Sequence, residues 1–204
     1  MFFSFDGVDG VGKSTQIRLL EEALRARGRE VVTCRDPGGT PLGERLREIL
    51  LDHHGLAIHR RSEMLLYMAS RAQLVEEVIR PALAAGKTVI SDRYLLANVV
   101  YQGHAGGLNP AEVWRVGEIT VGGLMPDLVF VLDMPAERAG ARIQRAADRM
   151  ESQGLAYLEA VRQGFLTEAR QRPEKIVVVN ADRQAEAVHG DVMQSVERLL
   201  GHSQ

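Results

Sequence analysis

Apolar residues in this chain occur in two arrangements, short unbroken runs and longer periodic stretches. Five runs are rich in β-branched or aromatic residues and hardly alternate with polar positions; they span 2–5, 31–34, 88–90, 128–132 and 176–179. Unbroken apolar runs of this length are typical of strands that are buried on both faces of a parallel sheet. The pattern therefore predicts a five-stranded parallel sheet.

The stretches between these runs carry apolar residues at the three- and four-residue spacing of amphipathic helices. The predicted helices span 16–27, 43–51, 62–85, 110–124, 136–147, 154–171 and 185–200. Asn109 before Pro110 favours a helix start, and Gly28 favours a helix end. Alternation of strands and helices predicts an α/β fold with helices on both faces of the sheet. No repeat or linker divides the sequence, so residues 1–204 are expected to form one domain.

The turn after the first strand carries the most specific chemical motif. Residues 7–14 read GVDGVGKS, which matches the G-x-x-x-x-G-K-S spacing of a phosphate-binding loop. Glycines let backbone N–H groups converge on one anion, and the following helix directs its positive end at the same point. Lys13 is expected to contact the β- and γ-phosphates, and the Ser14 hydroxyl is expected to bind Mg²⁺. The predicted nucleotide-binding residues of this loop are Gly7, Val8, Asp9, Gly10, Val11, Gly12, Lys13, Ser14 and Thr15.

Charged residues also stand at the carboxyl ends of predicted strands, where ligands bind in such sheets. Asp92 is expected to hold Mg²⁺ or its waters beside Ser14, or alternatively to cap the next helix. The planar guanidinium of Arg93 suits bidentate contact with a phosphate. Asp9 places a carboxylate inside an anion-binding loop, which requires a donor such as a sugar hydroxyl or an arginine unless Asp9 is simply solvated.

Two helical stretches carry weaker signals. Tyr67 and Arg71 lie one helical turn apart, which fits a nucleobase pocket or, alternatively, a core tyrosine beside a solvated arginine. A second stretch has arginines that fit either a solvated helix face or a mobile lid over a transferring phosphoryl group. These arginines are Arg138, Arg142, Arg145 and Arg149.

Composition narrows the classes of protein. A net charge of −2 argues against a general binder of nucleic acids or membrane surfaces. The single cysteine, Cys34, excludes an internal disulfide and is expected to be a small buried residue rather than a nucleophile. No run approaches the roughly 18 apolar residues of a membrane span, and no signal peptide is evident, so a cytoplasmic location is expected. The spacing of His53, His54 and His59 is not a metal signature.

Several motifs, in order, resemble the bacterial thymidylate kinases along nearly the whole chain. These motifs are FDGVDGVGKSTQ, CRDPGGTPLGERLREILL, EMLLYMASRAQ, SDRYLLANVVYQG, and DRME followed by VRQGF. The resemblance implies a P-loop NTPase fold of the nucleoside monophosphate kinase type, with a lid segment around residues 136–153. It also implies transfer of a phosphoryl group from ATP to dTMP with Mg²⁺, and a homodimer.

The resemblance implies roles for residues of the acceptor site. Asp9 would bond the 3′-hydroxyl of dTMP, Tyr67 would stack on thymine, and Arg71 would bond the base. Tyr101 would crowd the 2′ position of the sugar, and Gln102 would line the pocket. The dTMP phosphate would be held by Arg47 and Arg93. The full implied substrate-binding set is Asp9, Asp36, Arg47, Tyr67, Arg71, Arg93, Asn98, Tyr101 and Gln102.

The resemblance also implies how the phosphoryl group is transferred. Arg142 would lie against adenine, and because Gly10 stands where a second class of the family has arginine, the catalytic arginine would come from the lid. The implied catalytic set is Lys13, Asp9, Arg93 and a lid arginine, with Arg145 and Arg149 as the two candidates. The acceptor phosphate has a second pKa near ~6 and is mostly ionised at neutral pH, so it needs alignment and neutralisation rather than a general base.

Departures from the family pattern keep related activities open. Asp36 stands where the family has glutamate, Ala97 stands where it has serine, Tyr67 replaces the commoner phenylalanine, and the lid is a few residues short. A related kinase that acts on dUMP, dCMP or a nucleoside is therefore an alternative. A GTP-binding switch would require N-K-x-D after a late strand, whereas residues 180–183 read NADR.

Overall fold

Five parallel strands form a single sheet in the order β2-β3-β1-β4-β5 in the computed structural model, which describes residues 1–52, 55–143 and 149–201. The strands are β1 (Phe2–Asp6), β2 (Val31–Arg35), β3 (Thr88–Asp92), β4 (Leu128–Asp133) and β5 (Ile176–Asn180). The predicted five-stranded parallel sheet is confirmed. Each strand extends one or two residues beyond its apolar run and ends on a polar or charged side chain.

The core lies around the three central strands. β1, β3 and β4 are buried almost throughout, and the rings of Phe5 and Phe130 stack with centroids 5.1 Å apart. The edge strands β2 and β5 instead expose some positions, including Val178 at 43%. An edge strand has one neighbouring strand and is covered less by helices. It is therefore less buried than its continuous apolar run predicts.

Helices flank the sheet. They are α1 (Lys13–Ala26), α2 (Pro41–Leu51), α3 (Arg60–Leu74), α4 (Arg80–Ala84), α5 (Leu95–Asn98), α6 (Pro110–Thr120), α7 (Ala136–Gly140), α8 (Leu155–Gln171) and α9 (Ala185–Gly201), with a short 3₁₀ turn at Glu151–Gln153. The Asn109 side chain caps α6, as predicted, by accepting from the N–H of Ala111 at 2.9 Å. None of the helices in the described ranges is long and apolar enough to span a membrane.

Two wide π-helical turns interrupt stretches near the predicted site. The turn Val75–Ile79 divides the helix predicted over 62–85, and the N–H of Arg80 bonds to the carbonyl of Val75. The following Pro81 has no N–H and would crowd a regular helix, so the wider turn accommodates it. The second turn, Val99–His104, continues α5 and was not predicted.

Two other helices are shorter than their patterns predict. The helix predicted over 110–124 ends at Thr120, because Gly122 and Gly123 both adopt positive φ angles that terminate it. The helix predicted over 136–147 ends at Gly140. Residues 144–147 of that prediction lie outside the described ranges.

Candidate active site

The phosphate-binding loop adopts a conformation that depends on its glycines. Gly7, Gly10 and Gly12 have φ angles of 128°, 87° and 98°, which side chains rarely tolerate. A Cβ atom on Gly7 would lie 2.5 Å from the carbonyl oxygen of Leu132, and one on Gly10 would lie 2.0 Å from that of Ala139. Position 10 therefore has no room for an arginine, which agrees with the expectation that a catalytic arginine must come from elsewhere.

Lys13 opens helix α1 directly behind this loop. Its Nζ donates to the carbonyl oxygens of Gly7 at 3.2 Å and Val8 at 3.0 Å and bonds Oδ1 of Asp9 at 3.3 Å. Ser14 is exposed at the start of α1, where no side chain caps the helix and no acidic residue occupies the first turn. The helix start thus leaves its backbone donors and partial positive charge available to an anion.

Asp9 has the donor partners that its place in the loop requires. Its Oδ1 accepts from Nη2 of Arg93 at 2.9 Å, and Nη1 of Arg93 donates to the carbonyl of Gly7 at 3.0 Å. Burial by itself would raise the pKa of Asp9, but the Arg93 and Lys13 charges hold that pKa well below its usual range. Asp9 is therefore an ionised, paired carboxylate, and the alternative of a solvated loop acid is wrong.

Arg93 is held in a rare backbone conformation. Its φ angle is +67°, the only positive value for a residue other than glycine in the described part of the chain. Its Nη2 also donates to the Tyr101 hydroxyl at 3.1 Å, and its guanidinium carbon lies 5.0 Å from the centre of the Tyr101 ring. Strained residues that persist because their surroundings fix them are concentrated at functional sites.

A cleft beside the loop collects the whole predicted substrate-binding set. All nine of those residues line it, together with Pro37, Leu51, Ala97 and Met150. The lining is mixed, with carboxylates and guanidinium groups beside aromatic and aliphatic side chains, as a nucleotide site requires. Leu51 and Met150 were not predicted as lining residues, because an apolar residue at a helix end and another after the lid arginines give no chemical signal in the sequence.

Arg71 is a buried member of this cleft, with 1% of its surface exposed. Its Nε forms an ion pair with Asp36, and its Nη1 donates to Oδ1 of Asn98 at 3.0 Å. The alternative of a solvated arginine is therefore wrong. Burial raises the pKa of Asp36, although the charge of Arg71 acts against that rise. The shorter Asp36 side chain thus still reaches a partner in the cleft wall, and Oδ1 of Asp36 has no hydrogen-bond partner.

Acidic oxygens without partners converge where Mg²⁺ is expected. Oδ1 of Asp92 and both carboxylate oxygens of Asp6 are buried and lack hydrogen-bond partners. Asp92 shares a groove with Ser14, and residue 5 pairs with Asp92 across β1 and β3, so Asp6 follows at the same sheet edge. The side chain at the N-terminus of α5 is Tyr94, without a capping bond, so the capping alternative for Asp92 is wrong.

These oxygens fit a magnesium ion that is shared with a nucleotide. The described residues contain no cluster of three or more histidine, cysteine or acidic side chains that could enclose a metal. Mg²⁺ commonly keeps several waters and binds one or two protein oxygens together with substrate phosphates. Ser14 and Asp92 suit that arrangement, with Asp6 close to it.

The pKa of Asp6 gives a pH-dependent prediction. Burial raises this pKa from 3.8 to about 7, although Arg93 and Lys13 lower it. The native state therefore keeps a proton that the unfolded chain has lost, so stability falls as pH rises from about 4 to about 7, by an upper estimate of roughly 4 kcal/mol. We expect Asp6→Asn to remove this loss, so that its melting temperature exceeds that of the wild type more at pH 8 than at pH 5.

The comparison is made by thermal unfolding without Mg²⁺, which could bind the ionised carboxylate, and without nucleotide, which would itself raise the melting temperature. Asp191→Asn, at a half-exposed carboxylate of α9, is the control and should show no such widening between the two pH values. An equal difference between Asp6→Asn and the wild type at both pH values would contradict the prediction.

The predicted lid arginines occupy different environments. Arg138 pairs with Asp182, and Nη2 of Arg142 lies 4.0 Å from Oδ1 of the same residue. Arg149 donates to the carbonyl of Leu50 at 2.7 Å and is paired with Glu63. Arg145 lies outside the described residues, as do His53 and His54.

Cys34 is less buried than expected from the sequence. It lies near the end of β2 with partial exposure, and burial raises the pKa of its thiol to about 12. The thiol is therefore protonated at neutral pH, which is the opposite of what a nucleophilic cysteine needs.

Comparison with known proteins connects this cleft to a family. The family model described as "Thymidylate kinase" matches residues 5–192. The chain belongs to the thymidylate kinase family. The thymidylate kinase of Rhodopirellula baltica is 49% identical over 91% of this chain and 75% of its own length. That of Caldanaerobacter subterraneus is 45% identical over 98% of this chain and 96% of its own.

A solved structure supports the same family relationship. The crystal structure of thymidylate kinase from Ehrlichia chaffeensis superposes with a TM-score of 0.81 at 27% identity, over 96% of this chain and 98% of that one. The fold is accordingly the nucleoside monophosphate kinase type of P-loop fold, as predicted. The matched range 5–192 includes every residue that lines the cleft.

Proposed function

We propose that this protein phosphorylates dTMP to dTDP with ATP and Mg²⁺. The observation that carries the proposal is the cleft in which Asp9, paired with Arg93 and Lys13, joins the phosphate-binding loop to the acceptor pocket. Family membership supports dTMP as acceptor and ATP as donor. Asp92, Ser14 and nearby Asp6 supply oxygens suited to Mg²⁺, which would neutralise the phosphates when bound.

Transfer in this site depends on charge and alignment. Lys13 and the N-terminus of α1 hold the donor phosphates. Arg93 and Arg47, which line the cleft, hold the acceptor phosphate. Tyr101 remains a neutral phenol because burial raises its pKa, so its ring fills space beside the sugar without adding charge. No side chain needs to remove a proton, since the acceptor phosphate is already ionised at neutral pH.

The base side of the pocket is suited to a pyrimidine. Tyr67 provides a ring that lines the cleft, and Arg71 and Asn98 provide polar atoms at its inner wall. We propose that a lid around 136–153 closes over the phosphates and supplies Arg142 near adenine and the catalytic arginine. A single folded domain and a cytoplasmic location complete the proposal.

ADP formation with ATP, Mg²⁺ and each of dTMP, dUMP, dCMP and thymidine tests the function. We expect the highest kcat/KM with dTMP, no turnover of thymidine, and weaker use of dUMP. One methyl group is worth about 1–3 kcal/mol in an apolar pocket, so dUMP should be disfavoured by roughly 5- to 150-fold rather than excluded. Turnover of dUMP, dCMP or thymidine but not dTMP would support the related kinases instead.

We also propose a homodimer that uses an apolar face on α3 and α6. Leu65 is 53% exposed on α3 and Ile119 is 83% exposed on α6, and these two helices pack against each other. Large exposed apolar side chains on adjacent elements are typical of interaction surfaces. Nearby, Val116 of α6 is partly exposed, whereas Val99 and Val121 are fully buried and lie outside that face.

The double variant Leu65→Lys with Ile119→Lys is expected to sediment as a monomer where the wild type sediments as a dimer, because charge would be buried in the interface. Analytical ultracentrifugation at several concentrations measures the association. Leu155→Lys is the matched control, since Leu155 is equally exposed but lies on α8. A wild-type monomer, or a double variant that dimerises as tightly as the control, would contradict this surface.

A further inference from the structure

A buried carboxylate on α3 takes no part in the cleft lining. Glu63 is fully buried, and its Oε1 accepts from Nε2 of Gln102 at 3.0 Å and from Nη1 of Arg60 at 3.4 Å. Its Oε2 accepts from Nη2 of Arg149 at 2.5 Å. A carboxylate removed from water destabilises a fold unless it is paired and hydrogen-bonded. The donors that satisfy Glu63 come from three separate segments of the chain.

A directed series of hydrogen bonds leads from the base side of the cleft to Glu63. Arg71 donates to Oδ1 of Asn98 at 3.0 Å, Nδ2 of Asn98 donates to Oε1 of Gln102 at 2.6 Å, and Nε2 of Gln102 donates to Glu63. Arginine can only donate, and an ionised carboxylate can only accept. With these two ends fixed, each amide between them has one orientation that satisfies both neighbours.

This orientation matters because Asn98 and Gln102 both line the acceptor cleft. A reversed amide would present a donor where the pocket now presents an acceptor. Pyrimidine bases differ in where their polar edge carries hydrogen-bond donors and acceptors. The orientation of the pocket amides is therefore expected to affect which base binds. Glu63 thus fixes the orientation of two amides of the cleft wall without lining the cleft itself.

The other contacts of Glu63 reach the C-terminal end of the predicted lid segment. Arg149 is held at three points, by Glu63, by Nε donation to the Leu50 carbonyl, and by its backbone N–H to the Leu51 carbonyl at 3.2 Å. The adjacent Met150 lines the cleft and is 4% exposed. These contacts fix the C-terminal end of the lid segment against the end of α2.

Arg60 adds a second connection between Glu63 and that end of the lid. Its Nη2 donates to Oε1 of Gln153 at 2.8 Å, and its guanidinium carbon lies 6.0 Å from the centre of the Tyr157 ring. Tyr157 in turn donates from its hydroxyl to the carbonyl of Tyr101 at 3.1 Å. The lid end and the cleft wall are therefore joined around one carboxylate.

We propose that Glu63 is a positioning residue that orients the amides of the base pocket and anchors the C-terminal end of the lid through Arg149. This inference rests on the proposed function, because it assigns Glu63 a part in recognising the pyrimidine acceptor. It also gives Arg149 an anchoring role in place of contact with the transferring phosphoryl group.

Glu63→Gln in the full chain tests the inference. A glutamine has one oxygen that accepts and an NH₂ group that donates, so it cannot accept from all three donors of Glu63 and at least one contact is lost. With saturating ATP and Mg²⁺, we expect the ratio of kcat/KM for dTMP over dCMP to fall about tenfold, and kcat with dTMP to fall as well. Glu76→Gln, at an exposed carboxylate that pairs with Arg80 in the same helical run, is the matched control and should behave as the wild type.

Arg149→Met and Gln102→Leu separate the two roles. Arg149→Met should lower kcat with dTMP by about tenfold while leaving the dTMP/dCMP ratio within about twofold of the wild type. Gln102→Leu should lower the dTMP/dCMP ratio while the Glu63–Arg149 pair persists. If Glu63→Gln does not fold, Gln102→Leu tests the hydrogen-bonded amides in its place.

Three results would overturn the inference. One is a folded Glu63→Gln variant with a wild-type ratio and kcat, and another is a Gln102→Leu variant with a wild-type ratio. The third is a loss of more than about a thousandfold in kcat for Arg149→Met while Glu63→Gln stays active. That result would indicate that Arg149 contacts the transferring phosphoryl group. Wild-type chain that fails to turn over dTMP would instead contradict the proposed function.

Discussion

Replacing Lys13 with methionine is expected to lower kcat for ADP formation by about a thousandfold. The Lys13 ammonium lies under the loop within 3.0–3.3 Å of two carbonyl oxygens and of Asp9, where it can turn to the donor phosphates when they arrive. Methionine keeps much of the side-chain volume and removes the charge. The loss should therefore appear in the chemical step, measured by single-turnover kinetics with saturating ATP and dTMP.

Lys87→Met is the matched control, because Lys87 is a partly exposed lysine that pairs with Glu30 away from the loop. We expect this control to keep wild-type kcat. A fall of less than about tenfold for Lys13→Met would show that the lysine contributes little to transition-state charge.

Replacing Arg93 with lysine is expected to lower kcat/KM for dTMP by at least about a hundredfold. The guanidinium serves three acceptors at once, the Gly7 carbonyl, Asp9 and the Tyr101 hydroxyl. A single ammonium cannot reproduce two branches that point to different partners, and it does not stack on a ring in the same way. Asp9 would then lose its guanidinium contact and face the bound phosphates with the Lys13 ammonium still 3.3 Å away.

Steady-state kinetics over a range of dTMP concentrations measures this loss, with Arg27→Lys as the control. Arg27 forms an exposed ion pair with Glu197 between α1 and α9, where a lysine can take its place. Asp9→Asn added to Arg93→Lys should recover part of the affinity for ATP, because it removes a negative charge that has lost its guanidinium partner. Unchanged kcat/KM in Arg93→Lys would exclude a bidentate role for the guanidinium.

Elements with local causes were predictable from the sequence. The central strands are continuous apolar runs, and the phosphate-binding loop is a contiguous motif whose glycines adopt the positive φ angles that the motif requires. The wide turn Val99–His104 was not predictable, because π-helical geometry has no periodic signature and depends on what packs around it. The same holds for the break at Val75–Ile79, although Pro81 marks its neighbourhood.

The residues of the cleft were also predictable, but their charge states and partners were not. Motifs identified Asp9, Arg71 and Arg93 as site residues, yet the burial of Arg71 against Asp36 follows from contact between segments 35 residues apart in the chain. The burial of Asp6 was not predictable from the sequence, because a carboxylate at the end of a strand is normally solvated. In the folded chain both of its carboxylate oxygens are buried and lack a hydrogen-bond partner. Its pKa is a property of the assembled site.

The fold class, the position of the phosphate-binding loop and the family could be inferred from the sequence, because each depends on short-range patterns or on contiguous motifs. The assembled fold sets how Glu63 satisfies Gln102 and Arg149, and it leaves carboxylate oxygens of Asp6 and Asp92 without hydrogen-bond partners. Hydrogen bonds and desolvation act between groups that are close in space and distant along the chain, so no local pattern encodes them.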